Sequence, residues 1–138
     1  MLYEGGTKDM LRNGIGTKYY FSSDKNVRGK WKDGKLEFYE MSQKEEEKGY
    51  VLFNYEDKIY VGKGENMLPN GWGKLVSKDN GNLSYEGKWK NGFKSGKGIY
   101  YKSEVGFPYV EYVGSFRNGS KNGMGRFYDK RGYLRYEG

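Results

Sequence analysis

Residues 85–98 read YEGKWKNGFKSGKG. Tyr85 and Trp89 are the only large apolar side chains before Phe93, so the stretch has no core of its own. It is nevertheless too regular for a linker. Written as Tyr-x-Gly-x-Trp-x-x-Gly-x-x-x-Gly-x-Gly, it fixes Tyr85, Gly87, Trp89, Gly92, Gly96 and Gly98, and a repeat is the first thing such regularity should be tested for. The pattern fits again from residue 112, where Tyr112, Gly114, Phe116, Gly119, Gly123 and Gly125 fill all six places. Weaker copies keep Tyr3, Gly5, Gly14 and Gly16 near the start, and Tyr60, Gly62, Gly71 and Gly73 in the middle. A partial copy opens at Tyr136-Glu137-Gly138.

Copy two supplies Val27, Gly29, Trp31 and Gly34, but no Gly-x-Gly follows at the expected distance. Gly16 to Gly29, Gly49 to Gly62 and Gly125 to Gly138 are each separated by 13 positions. On that count Gly49 closes copy two, and a nine-residue insertion lies within the turn at 35–48. The repeats then start near 3, 27, 60, 85, 112 and 136, and one array covers residues 1–138.

Within a copy the side chains alternate with period two, which is the signature of a strand. Tyr85, Gly87 and Trp89 share one face, while Glu86, Lys88 and Lys90 share the other. Asn91-Gly92 begins a turn, because both positions of a tight hairpin turn need positive φ. Each copy therefore reads as a β-hairpin with a glycine-and-ring face. A ring of one hairpin can lie over the bare backbone of its neighbour, so the expected core is shared between copies and built from aromatics alone.

The composition agrees. Of 138 residues 35% are hydrophobic and 18% aromatic, with 23 glycines and two prolines. Leu, Ile and Val are scarce, which argues against helical bundles and parallel sheets, and glycine at this density opposes helix by ~1 kcal/mol per interior site. The 15 Tyr, 7 Phe and 3 Trp argue against disorder. There is no apolar run long enough to span a bilayer, and MLYEGGTKDMLRNG is too polar for a signal peptide, so an intracellular location is expected. With no His and no Cys, the usual metal ligands, the thiol nucleophile and the common neutral-pH base are missing, and no cofactor or catalytic residue is expected. Asp79-Asn80-Gly81-Asn82 lacks the later glutamate of a calcium loop and reads as a tight turn.

On these residues the sequence resembles the MORN-repeat family. The resemblance implies an all-β, elongated and twisted array of antiparallel hairpins, acting as a non-enzymatic scaffold in a larger assembly and often homodimerising. It also implies contact with phosphoinositide membranes in some members, and a location in the cytoplasm associated with membrane or cytoskeleton. A related glycine-aromatic repeat, that of bacterial antitoxin-like inhibitors, implies a third function.

Charge narrows the choice of surface. Residues 83–138 hold 11 Lys/Arg against 5 Asp/Glu, so nearly all of the net +7 lies in the best-formed copies. Lys88, Lys90, Arg117 and Lys121 are the expected charge partners, and Tyr100, Tyr101, Phe107, Tyr109 and Tyr128 the expected exposed-ring anchors, for a protein partner or an anionic phospholipid. A solvated basic face that keeps strand edges apart accounts for the same lysines. Nucleic acid is disfavoured, because the rings that would stack bases are needed between copies. Glu45-Glu46-Glu47 in the insertion reads as a tolerated loop or as an acidic tip that docks a partner.

Overall fold

The computed structural model describes residues 2–9, 11–19, 26–104 and 107–138, the side chains of residues 2, 104 and 107 excepted. It is all-β apart from one short helix. Strands β1 (Leu2–Lys8), β2 (Leu11–Tyr19), β3 (Val27–Lys32) and β4 (Lys35–Tyr39) form a first sheet in that order. Helix α1 (Gln43–Glu47) follows. A second, eight-stranded sheet runs β5 (Val51–Asn54), β6 (Lys58–Glu65), β7 (Leu68–Ser77), β8 (Leu83–Lys90), β9 (Phe93–Glu104), β10 (Phe107–Arg117), β11 (Ser120–Tyr128), β12 (Leu134–Glu137). Every pairing is antiparallel between chain neighbours, so both sheets are open meanders of hairpins.

The repeat motif maps onto this plan position by position. The Asp33-Gly34, Asn91-Gly92 and Asn118-Gly119 turns hold both residues at positive φ, as two-residue hairpin turns require. Gly96 (φ +78°) sits where the β8–β9 register shifts between Gly87 and Trp89, a bulge whose left-handed backbone suits glycine. Gly98 serves a different purpose. It pairs with Gly87, and the Tyr85 ring lies on it so closely that a Cβ there would overlap the ring. Tyr3 on Gly16, Tyr60 on Gly73 and Tyr112 on Gly125 repeat the arrangement.

Each of these tyrosines also donates its hydroxyl to the backbone carbonyl three residues on. The acceptors are Gly6 (2.9 Å), Lys63 (2.5 Å), Lys88 (2.9 Å) and Ser115 (2.9 Å) for Tyr3, Tyr60, Tyr85 and Tyr112. The bonds lay the ring along its own strand. The next ring then closes the joint between copies. Trp31 donates Nε1–H to the Gly16 carbonyl of copy one, and Trp89 does the same to Gly73 of copy three, both at 3.1 Å. Trp89 meets Tyr60 and Tyr85 edge-on, each at 5.2 Å between centroids, and Phe116 wedges likewise between Tyr85 (5.1 Å) and Tyr112 (5.3 Å). The hairpin tips interlock too: Gly34, Gly92 and Gly119 donate their N–H to the carbonyls of Arg12, Pro69 and Lys94 in the preceding copy.

Copy two departs from the reading of the sequence. Its turn is the tight Asp33-Gly34, and Gly29 pairs with Tyr39, not with Gly49. The extra residues therefore follow β4 instead of lying within the turn. They make α1, capped by Ser42 and Glu45 in a reciprocal capping box, and Gly49 (φ +73°) ends it after the Lys48 cap. Gly49 is a helix stop, and no tyrosine rests on it.

This excursion breaks the array into two sheets with two cores. In the second sheet Tyr60, Leu75, Tyr85, Trp89, Tyr112 and Phe116 form a core on the ring face. The other core joins the ring face of the first sheet (Val27, Trp31, Leu36) to Ile59, Val61 and Val76, which alternate with Tyr60 and Leu75 and so lie on the opposite face of β6 and β7. The expected core of aromatics alone holds for neither: the first is mostly rings but includes Leu75, and the second is where the scarce aliphatics are concentrated. Polar contacts fix this packing. Lys18, buried, donates to the Asn80 carbonyl (2.8 Å) and Asn82 Oδ1 (2.7 Å), and Trp31 abuts Gly81 in the same turn. The Asp79–Asn82 turn thus offers its oxygens to an ammonium.

Two consequences are measurable. Met67 occupies the second left-handed turn position (φ +62°) where copies two, four and five have Gly34, Gly92 and Gly119, and it is 86% exposed. Met67→Gly relieves that backbone without removing a contact, and chemical denaturation should report a gain of ~1 kcal/mol. Burial pushes the Tyr85 hydroxyl up to about 12, and burial with neighbouring tyrosines raises Tyr60 as well. Stability from such a group is complete below the unfolded value of about 10 and is lost as pH rises through the folded value. Lys18 acts oppositely, because burial, then Arg12, lowers it to about 8, so its share grows from there to about 10.5. The melting temperature should stay level or rise between pH 8 and 10 and fall steeply between 10 and 12, and Tyr85→Phe should make that fall shallower.

Candidate interaction surface

The best-formed hairpins, β8–β9 and β10–β11, present two chemically different faces. Register places Tyr85, Tyr100, Tyr112 and Phe127 side by side across four strands on the ring face. On the same face Lys94 pairs with Trp89, and Lys121 pairs with Phe116. Glu86, Lys88 and Lys90 alternate to the other side, as does Arg117 after Phe116.

The ring-face lysines occupy one repeat position, the residue two after the turn glycine. Their stems cross the rings and their ammoniums rest on them. Lys94 Nζ lies 5.1 Å from the Tyr85 centroid and 5.5 Å from that of Tyr100. Lys121 Nζ lies 4.7 Å from Tyr100, 5.5 Å from Tyr112 and 5.3 Å from Phe127. Arg12 repeats the contact in copy one, over Tyr3 and Trp31. Such contacts are worth ~0.5–1 kcal/mol when exposed and more when desolvated. Glu111, the bulge residue of β10, bridges Lys121 (3.3 Å) and Lys102 (3.7 Å). Burial, then the charges of Lys58 and Lys121, hold Lys94 below the ordinary lysine range.

The residues singled out in the sequence divide between these faces. Lys88, Lys90 and Arg117 are exposed on the side opposite the rings, whereas Lys121 is on the ring face, so the four do not form one patch. Tyr100, Tyr101, Tyr109 and Tyr128 are half-buried instead of exposed. The reason is local for two of them: two lysine ammoniums rest on the Tyr100 ring, and Tyr101 donates to Glu86 on the opposite face (2.5 Å). The Phe107 side chain lies outside the described residues. Lys94 was not among the chosen candidates, although its match to Lys121 by repeat position could have found it.

The insertion also has a definite place. Glu45 of α1 turns inward, accepting a hydrogen bond from the Tyr39 hydroxyl (3.0 Å) and pairing with buried Lys74 (2.8 Å). Burial alone would raise the Glu45 carboxyl, but Lys74 and the bonds to Ser42 and Tyr39 outweigh it and hold it below the usual range. Glu45 is therefore spent inside the molecule and is not an acidic tip. A polar cleft of about 500 Å³ remains between α1 and the sheets, with Arg28, Lys48, Tyr50 and Trp72 in its walls. The face opposite the rings carries an open trough of about 560 Å³ along Ile99, Val113 and Met124. Among the described residues no group of three or more His, Cys, Asp or Glu is arranged to hold a metal ion, and no helix is long and apolar enough to cross a membrane.

A comparison with protein-family models matches the MORN repeat at residues 85–103 and 112–132, the two hairpins that carry both ring-face lysines. A search of curated proteins found no match. MORN repeats are commonly protein- or membrane-interaction modules, and the proteins that carry them are generally non-enzymatic. The paired glycines, the tyrosines seated on them and the family match agree on these two stretches: the hairpins at 85–103 and 112–132 are MORN repeats.

Proposed function

We propose that the protein is a non-enzymatic scaffold component that docks a partner protein on the ring face of its second sheet. One observation carries this reading. The first sheet packs on the opposite face, at β6 and β7, so among the described residues no second sheet covers the ring face, where Phe53, Tyr100 and Phe127 stay half-buried and Tyr136 exposed beside the buried Tyr60, Tyr85, Trp89, Tyr112 and Phe116. Half-buried rings beside ammoniums offer apolar area together with polar anchoring, the pairing found at interface hot spots.

A second reading rests on the other face. Lys88, Lys90 and Arg117 are exposed there, and an anionic bilayer attracts such cations by ~1 kcal/mol each.

Affinity capture from lysate of the source cell separates the two. The wild type and a Lys88→Glu/Lys90→Glu/Arg117→Glu variant should both retain the same protein in stoichiometric amount, and Tyr100→Ala, checked by circular dichroism for an intact fold, should lose most of it. Recovery of anionic lipid without a stoichiometric protein, abolished in the triple variant, would replace the scaffold reading with the membrane one.

A further inference from the structure

Lys94 is the point on the ring face where the fold leaves a charge unanswered. Its ammonium is half-buried on Tyr85 and Tyr100, and it makes no hydrogen bond or ion pair among the described residues. The ionisable groups that bear on it are cations: Lys58, which has Asp57 at 3.5 Å, and Lys121. The carboxylate nearby, Glu111, is already shared by Lys121 and Lys102. Taking an ammonium partly out of water costs free energy that ring contacts alone only partly offset.

Folding does not require a charge at this position. Copy three has Pro69 there, and copy two Leu36. Copy one has Arg12, which donates to the Gly34 carbonyl (3.3 Å). Lys94 and Lys121 share one ring, Tyr100, at 5.5 and 4.7 Å, so two like charges flank a single apolar floor. An anionic oxygen pair placed there would answer Lys94 and add a second contact to Lys121, which Glu111 holds at 3.3 Å.

We propose that the Lys94–Tyr100–Lys121 site receives a carboxylate side chain from an extended acidic segment of a partner protein. This rests on the scaffold reading and names the chemistry of its docking face. Recession favours a protein carboxylate over a membrane: a single side chain can reach a half-buried ammonium among rings, whereas a flat bilayer meets the exposed Lys88, Lys90 and Arg117 of the other face first. Apolar residues on either side of the acid would lie on Phe127 and Tyr100, which are half-buried and have area still to cover.

The probe is an acetylated octaglutamate peptide, titrated into the intact chain while the lysine side-chain amines are followed by NMR. Saturation should raise the Lys94 pKa by about one unit, since a bound carboxylate favours the ammonium form. Lys94→Met, which keeps the stem on the rings, should weaken binding about tenfold, while Lys90→Met on the opposite face should change it less than about twofold. Absence of binding at millimolar peptide, an unmoved Lys94 resonance at saturation, or equal losses in the two variants would overturn the site. So would phosphatidylserine vesicles shifting Lys94 where the peptide does not. A natural partner captured equally by wild type and Lys94→Met would remove this site and leave the scaffold reading intact.

Discussion

The structure depends on a tyrosine lying flat on a glycine of its own hairpin. Tyr3, Tyr60, Tyr85 and Tyr112 each do so, and each is held down by a hydroxyl bond to the carbonyl three residues ahead. A ring fixed in this way is half covered by its own strand pair, and its free edge is what the next Trp or Phe packs against. Local and inter-copy contacts are thus made by the same side chain. A hairpin this polar has no core until its neighbour arrives, so stability grows with stacking, as in other one-dimensional arrays. Losing one wedge ring such as Trp89 would open a cavity in two copies at once, at a cost of ~3–5 kcal/mol.

Where this arrangement fails, the chain does something else. Copy two has Val27 in place of the tyrosine, Glu37 in place of the bulge glycine and Tyr39 in place of the closing glycine. Without a ring-on-glycine seat the ladder cannot pass through it. The chain instead turns through α1, starts a new sheet at β5, and folds the first sheet onto the opposite face of β6 and β7. Aliphatic residues replace rings at that junction, because Ile59, Val61 and Val76 take the places that the half-buried Ser84, Glu86 and Tyr101 hold in copy four. Lys18 and the Glu45–Lys74 pair then lock the junction. Lys18 and Lys74 are buried, so each would be costly without its partners.

The hairpins, their turns and the MORN resemblance were legible because each is dictated by a residue type at a fixed spacing, whereas the bulge at Gly96 was not, because a regular alternation fits the same glycines. Asn91-Gly92 and Asn118-Gly119 can hardly be anything but tight turns. The two-sheet arrangement was not legible, because the 13-residue spacing that assigned Gly49 to copy two is met by a helix-stopping glycine of no repeat origin. The inward turn of Glu45 was hidden for a related reason: three consecutive glutamates look alike in sequence, and only the capping box on Ser42 selects the one that meets Lys74. Alternation places Lys88, Lys90 and Arg117 on the far face, but charge alone does not separate them from Lys121, which follows a turn and lies on the ring face. In sequence Lys94 is one of several basic residues in or after the turns, and what distinguishes it, an ammonium on two rings with no counter-ion among the described residues, is visible only in the structure.

The most direct test of the ring-on-glycine constraint is a double-mutant cycle in copy one, where Tyr3 is half-buried and its removal is tolerable. Gly16→Ala, Tyr3→Ala and the double variant would be compared by urea denaturation. If Gly16 is glycine to seat the ring, Gly16→Ala alone should cost ~2 kcal/mol or more, and almost nothing once Tyr3 is alanine. An equal cost in both backgrounds would mean that the glycine answers a backbone need unrelated to the tyrosine, and the account of how the copies join would be wrong.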